Sequence, residues 1–257
     1  MLLTIDLSNS HISMAGVQDG EVCFSCRMAT VKSRTGDEYA ALMRLLVEQQ
    51  GVDTHQLDGC ILSSVVPELT LIIRQAAEFL TGMSPMVVGP GVKTGLNIRL
   101  DDPSQLGSDF VVAAVAAQAR YPLPLVTVDM DTAIGIGVTD EKSAFIGGVI
   151  APGIMVSTTA LTSRASLLHN VVPNAPGHII CKSTDECIRS GIIYGSAAML
   201  DGLLAGIDEE LGKPATVVAT GAWAEAVIPH CRHSNIHVDK DLIHHGLWLI
   251  WQKNQRK

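Results

Sequence analysis

The residues of this sequence best placed for chemistry are two aspartates in matching settings. "LLTIDLSNSHI" (residues 2–12) runs apolar into Asp6 and then into Ser8-Asn9-Ser10, and "LVTVDMDTAIG" (residues 125–135) runs apolar into Asp129 and then into Asp131-Thr132-Ala133. An aspartate at a strand end, followed by a turn of small and hydroxyl residues, suits a polyphosphate. The turn N–H groups and hydroxyls bind phosphate oxygens, while the carboxylate holds hydrated Mg2+ or orients a nucleophile. One such aspartate alone is more simply the cap of its own turn. Two of them half a chain apart, with "VVATG" ending in a third strand-to-glycine turn at Thr220-Gly221, favour facing turns that clamp one nucleotide.

The elements that must position these turns alternate strand and helix signals. "LLTIDLS", "HISMAGV" and "EVCFSCRMA" read as strands with a turn at Asp19-Gly20. "DEYAALMRLLVEQQ" has helical spacing, with Thr35 or Asp37 as N-cap and Gly51 as stop. "LDGCILSSVV" is a buried strand ended by Pro67, "ELTLIIRQAAEFL" a second amphipathic helix, and "SPMVVGPG" a strand entering a glycine-rich loop. After the loop "TGLNIRLDDPSQLGSD" and the helix "FVVAAVAAQARY", the order repeats from residue 125 and closes on the helix "LIHHGLWLIWQKN". This order predicts mixed, mainly parallel sheets covered by helices. It also predicts two similar halves, 1–117 and 118–257, packed with a cleft between them because no low-complexity linker separates them.

Composition narrows the partners. With 257 residues, 47% hydrophobic and 17% charged, the chain can bury a large core. No uninterrupted apolar stretch reaches the roughly 18 to 20 residues of a membrane span, and the start lacks the basic region of a signal peptide, so a cytoplasmic protein without membrane partners is expected. A formal net charge of −8 argues against nucleic acid, whose binding needs Lys and Arg against phosphates. Six cysteines read as free thiols. Cys23-x-x-Cys26 lies in a strand and has no second pair to complete a zinc site, and His230, His233 and His237 beside Cys231 read as a solvated loop and a short strand. "GPGVKTG" fits neither a dinucleotide nor a Walker motif, so on its own it is a rigid turn.

Longer phrases carry a resemblance. The two Asp turns and Ala219-Thr220-Gly221 look like the two phosphate turns and the adenosine turn of actin-like ATPases. "RTGDEY", "SSVVPELT", "VVGPGVKTGLNIR", "GSD", "GGVIAPGI", "GIIYG" and "DKDLIHHGLWLIW", in that order over essentially the whole chain, resemble the type III pantothenate kinases. The resemblance implies a duplicated ribonuclease-H-like α/β fold, a homodimer, and ATP-dependent phosphorylation of pantothenate, the first step of coenzyme A synthesis. By the same resemblance Asp109 is the general base that takes the proton of the pantothenate hydroxyl. Asp6, with Asn9 and Ser10, belongs to the phosphate and Mg2+ side. Asp129, Thr132 and Ala133 form the second phosphate turn, with metal at Asp129 and a monovalent cation, K+ or NH4+, nearby. Gly221 belongs to the adenosine turn. Gly107, Ser108 and Thr184 belong to the pantothenate pocket, with Thr184 reaching in from the dimer partner.

The chain departs from that pattern at the site itself. Ser8 and Asp131 stand where the family has glycine, Ser10 and Ile134 where it has threonine, Phe110 where it has arginine, Leu100 where it has tyrosine, and Ala222 where it has a second glycine. Ser8 and Asp131 are expected to crowd turns that use positive φ. Asp131 adds a repulsion of about 1 to 4 kcal/mol toward the triphosphate unless it binds an extra cation, and Phe110 removes a carboxylate contact worth about 1.5 to 3 kcal/mol. Weakened turnover is one expectation. The alternative is a catalytically impaired homologue kept for a binding or regulatory role.

Overall fold

The turn at Asp19-Gly20 sets the start of the first sheet. Both residues take positive φ (53° and 89°), the backbone that lets a tight hairpin follow the strand twist. It joins β2 (His11–Gln18) to β3 (Glu21–Ala29), while β1 (Leu2–Leu7) pairs antiparallel with β2. Thr35 then caps α1 (Gly36–Gln49) with a reciprocal capping box to Glu38. After β4 (Gly59–Ser64), Pro67 opens α2 (Pro67–Thr81), and β5 (Met86–Val87) completes a sheet of order β3-β2-β1-β4-β5. A computed structural model describes residues 1–255.

The second sheet repeats the first. β7 (Leu125–Met130), β8 (Ala133–Thr139) and β9 (Ala144–Pro152) are antiparallel neighbours, and β10 (Thr216–Thr220) and β11 (Ile236–Val238) add in parallel. Its order is β11-β10-β7-β8-β9-β6, where β6 is Asn97–Ile98. Apart from that extra edge strand, the two orders are the same. Neither sheet is mainly parallel. The first three strands of each repeat are joined by short turns, which force antiparallel pairing, and only the strands that follow a helix can pair in parallel.

The helices divide by unit. α3 (Ser108–Arg120) and the closing helix α7 (Leu242–Gln255) pack on each other and on the first sheet, and a Cβ at Gly246 would lie 2.2 Å from the Val112 carbonyl oxygen. One compact unit thus contains 1–97, 101–120 and the chain from Asp241; the other contains 98–100 and 121–240. The boundary expected at 117/118 falls inside α3, and the closing helix joins the first unit rather than the second. The apolar face of the first sheet, with Leu3, Ile5, Leu7, Ile12 and Met14 fully buried, forms a core with α1 and α2.

In the second unit, α4 (Ile154–Arg164), α5 (Thr184–Leu211) and the short α6 (Ala224–Val227) surround β7–β11. Among the described residues α5 is the one helix whose length and composition would let it cross a membrane. Its Ile188, Ile192, Ile193, Ala197, Leu200 and Leu204 belong to the core of this unit. The carboxylate of Asp201 accepts from the backbone N–H groups of Arg232 and His233 at 2.9–3.1 Å.

Candidate active site

In the first unit, β1 alternates faces, so Thr4 and Asp6 lie opposite the Leu3-Ile5-Leu7 core. The turn after Asp6 is closed by Ser8, whose N–H and hydroxyl both donate to the His11 carbonyl (3.1 and 3.0 Å). Just after β3, the Thr30 hydroxyl donates to the Ser8 carbonyl at 2.7 Å and the Thr30 N–H to the Ser10 carbonyl at 3.0 Å. Asn9 and Ser10 are exposed at the apex. Ser8 does not crowd a left-handed position as expected: the positive-φ residues other than glycine among those described are Asp19 and Ser143, so neither Ser8 nor Asp131 uses that region.

Asp6 is paired in register with Ser13 on β2 and with Ser63 on β4. Ser63 Oγ lies 2.9 Å from Ser108 Oγ, which also donates to the Ser64 carbonyl (3.0 Å) and accepts from the Ser64 N–H (3.2 Å). These contacts fasten the first residue of α3 to the strand end beside Asp6. Asp109 follows in the first helical turn, where the helix dipole favours a carboxylate. Its Oδ1 is buried and folds back over Gly107, 2.3 Å from where a Cβ at 107 would stand. Asp6, Gly107, Ser108 and Asp109 therefore gather at one end of one sheet. The Ser63–Ser108 fastening was not read from the sequence, although two serines ending the apolar run "CILSS" were its signal.

In the second unit, Asp129 is paired with Gly135 on β8 and with Thr220 on β10. The turn 131–132 carries Thr132 half-buried and Ala133 exposed, and α4 starts against it, the Gly153 N–H donating to the Thr132 carbonyl at 3.1 Å. Asp131 has a partner within the protein. Its Oδ1 accepts from the Ala222 N–H at 2.9 Å, which ties it to the third turn. That turn is joined again by Trp223 N–H to the Met130 carbonyl (3.1 Å) and by Gly221, where a Cβ would lie 2.6 Å from Asp129 Oδ1 and from Met130 N. Beyond it, a pocket of about 370 Å³ is lined by Glu225, Ile228, Pro229, Val238 and Lys240.

The remaining residues singled out from the sequence lie in varied settings. Thr184 is exposed and opens α5 after the Ser183 cap, beside a 2.8 Å contact of Asp185 with His169 Nε2. Leu100 and Phe110 are half-buried, and Ile134 is buried in the core of its unit. His233 lies in a largely exposed loop and His237 is exposed on the short β11, as expected, and each has a neighbour: His233 meets Asp208 (3.3 Å), His237 lies against Tyr121, and half-buried His230 lies edge-on to Tyr194. The six cysteines are free thiols, and burial pushes Cys26 to about 11 and Cys231 to about 12.

Among the described residues no three His, Cys, Asp or Glu side chains form a metal cage. One carboxylate in the first turn (Asp6) and two in the second (Asp129 and Asp131), beside hydroxyl groups, fit a hard cation that arrives with phosphates, since Mg2+ keeps its waters and takes one or two carboxylates from the protein.

Known proteins can now be set beside this geometry. Three solved structures share the fold: the (R)-2-hydroxyglutaryl-CoA dehydratase component A of Acidaminococcus fermentans (TM-score 0.58, 12% identity, 100% of this chain and 99% of that one), the ROK hexokinase of Thermus thermophilus (0.51, 14%, 100% and 99%) and the ethanolamine utilization protein EutJ of Carboxydothermus hydrogenoformans (0.53, 13%, 96% and 89%). The fold is that of the actin-like ATPases. The family model described as type III pantothenate kinase matches residues 2–206. Curated type III pantothenate kinases from Exiguobacterium sp. and Halalkalibacterium halodurans are 40% and 37% identical, covering 100% and 99% of this chain and 100% of each relative. The chain belongs to the type III pantothenate kinase family.

Proposed function

We infer that this chain transfers the γ-phosphoryl group of ATP to the primary hydroxyl of pantothenate, the first step of coenzyme A synthesis, in the cytoplasm. The observation that carries this reading is the gathering of Asp109 and Asp6 at one end of the first sheet through Ser63 and Ser108. Asp109 takes the hydroxyl proton as that oxygen bonds to the γ-phosphorus and the bond to the β–γ bridging oxygen breaks, releasing ADP. Asp6 is on the divalent-cation side of the first turn and Asp129 is the metal-side carboxylate of the second, and a divalent cation neutralises charge on the phosphates. Asn9, Ser10, Thr132 and Ala133 receive phosphate oxygens, and K+ or NH4+ belongs beside Asp129 and Thr132.

Gly221 receives the adenosine end. The pocket walled by Ile228, Pro229 and Val238, with Glu225 and Lys240 at its polar side, supports that placement. Gly107, Ser108 and Thr184 belong to the pantothenate site, Thr184 from a second copy. Loop residues Leu167 (93% exposed), Ile180 (89%) and Val172 (76%) are apolar side chains that a second copy could cover.

A coupled assay of ADP release with and without pantothenate tests the reading. Pantothenate-dependent turnover that is lost in Asp109→Asn, with ATP binding retained, is the expected result. The second reading, an impaired homologue with a binding role, is favoured by half-buried Phe110 directly after the acid. It predicts ATP binding without pantothenate-dependent turnover.

A further inference from the structure

A buried polar strip lies behind the first Asp turn. His244 on α7 is almost fully buried (4% exposed), with Nδ1 2.9 Å from Thr4 Oγ1 and Nε2 2.9 Å from Ser13 Oγ. Thr4 Oγ1 lies 3.1 Å from the Ala15 carbonyl, which can only accept; with its single proton given there, it accepts from His244, and the ring carries its proton on Nδ1. The second repeat supports the assignment, since Thr127, two residues before Asp129 as Thr4 is before Asp6, also donates to the cross-strand carbonyl, that of Gly137, with no histidine present in its place. With Nδ1 protonated on a neutral ring, Nε2 accepts, and Ser13 donates its only proton to it. The Ser13 oxygen is left with lone pairs. Ser13 and Asp6 are directly opposed on antiparallel strands, an arrangement that puts both side chains on one face of the sheet, with Cβ atoms roughly 4.5–5.5 Å apart.

We propose that His244 is a positioning residue for the Asp6 turn: it draws the Ser13 proton away, so that Ser13 does not hydrogen-bond to the Asp6 carboxylate but offers an acceptor oxygen for water on the nucleotide's divalent cation. This rests on the reading of Asp6 as the cation side. A hydrated Mg2+ donates through its waters and requires acceptors around it. A serine donating to Asp6 would compete with the cation for the carboxylate.

The test uses Mn2+ as the probe, titrated into the full-length protein with ADP and followed by electron paramagnetic resonance. Loss of one accepting contact weakens Mn2+ binding roughly 2- to 10-fold in Ser13→Ala and in His244→Leu, while Ser13→Thr, which keeps the hydroxyl, restores it. The KM for pantothenate stays unchanged in Ser13→Ala. Nitrogen-15 NMR of His244 should show the proton on Nδ1. A proton on Nε2, or unchanged Mn2+ affinity in Ser13→Ala, overturns the proposal, and the second result leaves His244 a purely structural tie between α7 and the sheet. Ser13→Ala carries the test by itself if His244→Leu does not fold. The titration needs no turnover, so an enzyme that fails to phosphorylate pantothenate but shows these shifts keeps the inference, and a working kinase without them loses it.

Discussion

The two strand-Asp-turn repeats share their topology and differ in what holds them. The first is tied by side chains: Ser8 to His11, Thr30 to Ser8, Ser63 to Ser108, and His244 between Thr4 and Ser13. The second is tied mostly through backbone, with Gly135 opposite Asp129, Gly221 against Asp129 and Met130, and the Ala222 and Trp223 amides donating back to the 130–131 segment. Side-chain ties can aim a reacting group and can be removed one by one. Backbone ties fix a shape and tolerate fewer changes. Under the proposed function this difference would put the proton transfer in the first unit and the grip on nucleotide in the second.

The largest effect that would break the comparison is at the acids themselves. Asp109→Asn should lower kcat roughly 10²- to 10⁴-fold, the usual contribution of a positioned proton acceptor, with little change in ATP affinity. Asp129→Asn should mainly raise the KM for ATP. Steady-state kinetics on both variants check this, and a larger kcat loss from Asp129→Asn would reverse the assignment of the two units.

Acid sensitivity separates the units next. Burial, with smaller contributions from His245 and Arg27, lowers the His244 pKa from 6.5 to about 4. Between those values the unfolded chain binds a proton that the folded chain does not, so stability falls as pH drops through that window. The loss reaches about 2 to 3 kcal/mol by pH 4.5. Urea unfolding of wild type and His244→Leu at pH 7 and 4.5 measures it, and the variant should lose less. Hydrogen exchange should place the acid-labile amides in the first unit; equal losses in both proteins would remove His244 as the cause.

Gly107→Ala sharpens the side-chain half of the comparison. The new Cβ would stand 2.3 Å from Asp109 Oδ1, so the carboxylate must swing away. A misplacement of about 1 Å is enough to cost roughly 10- to 100-fold in kcat. The melting temperature should hardly move, because the displaced atom is the end of a flexible side chain.

Much of this was legible in the sequence because it rests on local signals. The Thr35 capping box, the Asp19-Gly20 turn, Pro67 at a helix start and the repeated apolar-Asp-turn phrase each point to one structure. What was not legible depends on residues far apart in the chain. His244 reads as one more position on an apolar helix, and only its meeting with Thr4 and Ser13, more than 200 residues away, gives it a role. The same holds for the closing helix, whose place in the first unit is decided by packing on α3 and β1 rather than by its own pattern. Neither the charge nor the bulk of Asp131 can show that its carboxylate accepts from a backbone N–H 91 residues away.

The smallest expected effect is at Asp131, and its sign is informative. If the carboxylate ties the second turn to the third, Asp131→Ala releases the Ala222 amide and loosens the adenosine end. For a hydrogen bond this exposed, a loss of about 0.5 to 1.5 kcal/mol gives ATP binding weakened roughly 2- to 10-fold. The weakening should be independent of Mg2+, and Asp131→Asn, which keeps an accepting oxygen, should recover most of it. Were the charge instead repelling the triphosphate, both variants would bind ATP more tightly, by roughly 5-fold or more. An extra cation at Asp131 would show as a weakening that deepens at low Mg2+. Calorimetric titration of ATP into the three proteins at two Mg2+ concentrations separates these outcomes by sign and by slope. Only the first is consistent with a second turn whose grip on nucleotide comes from its own backbone.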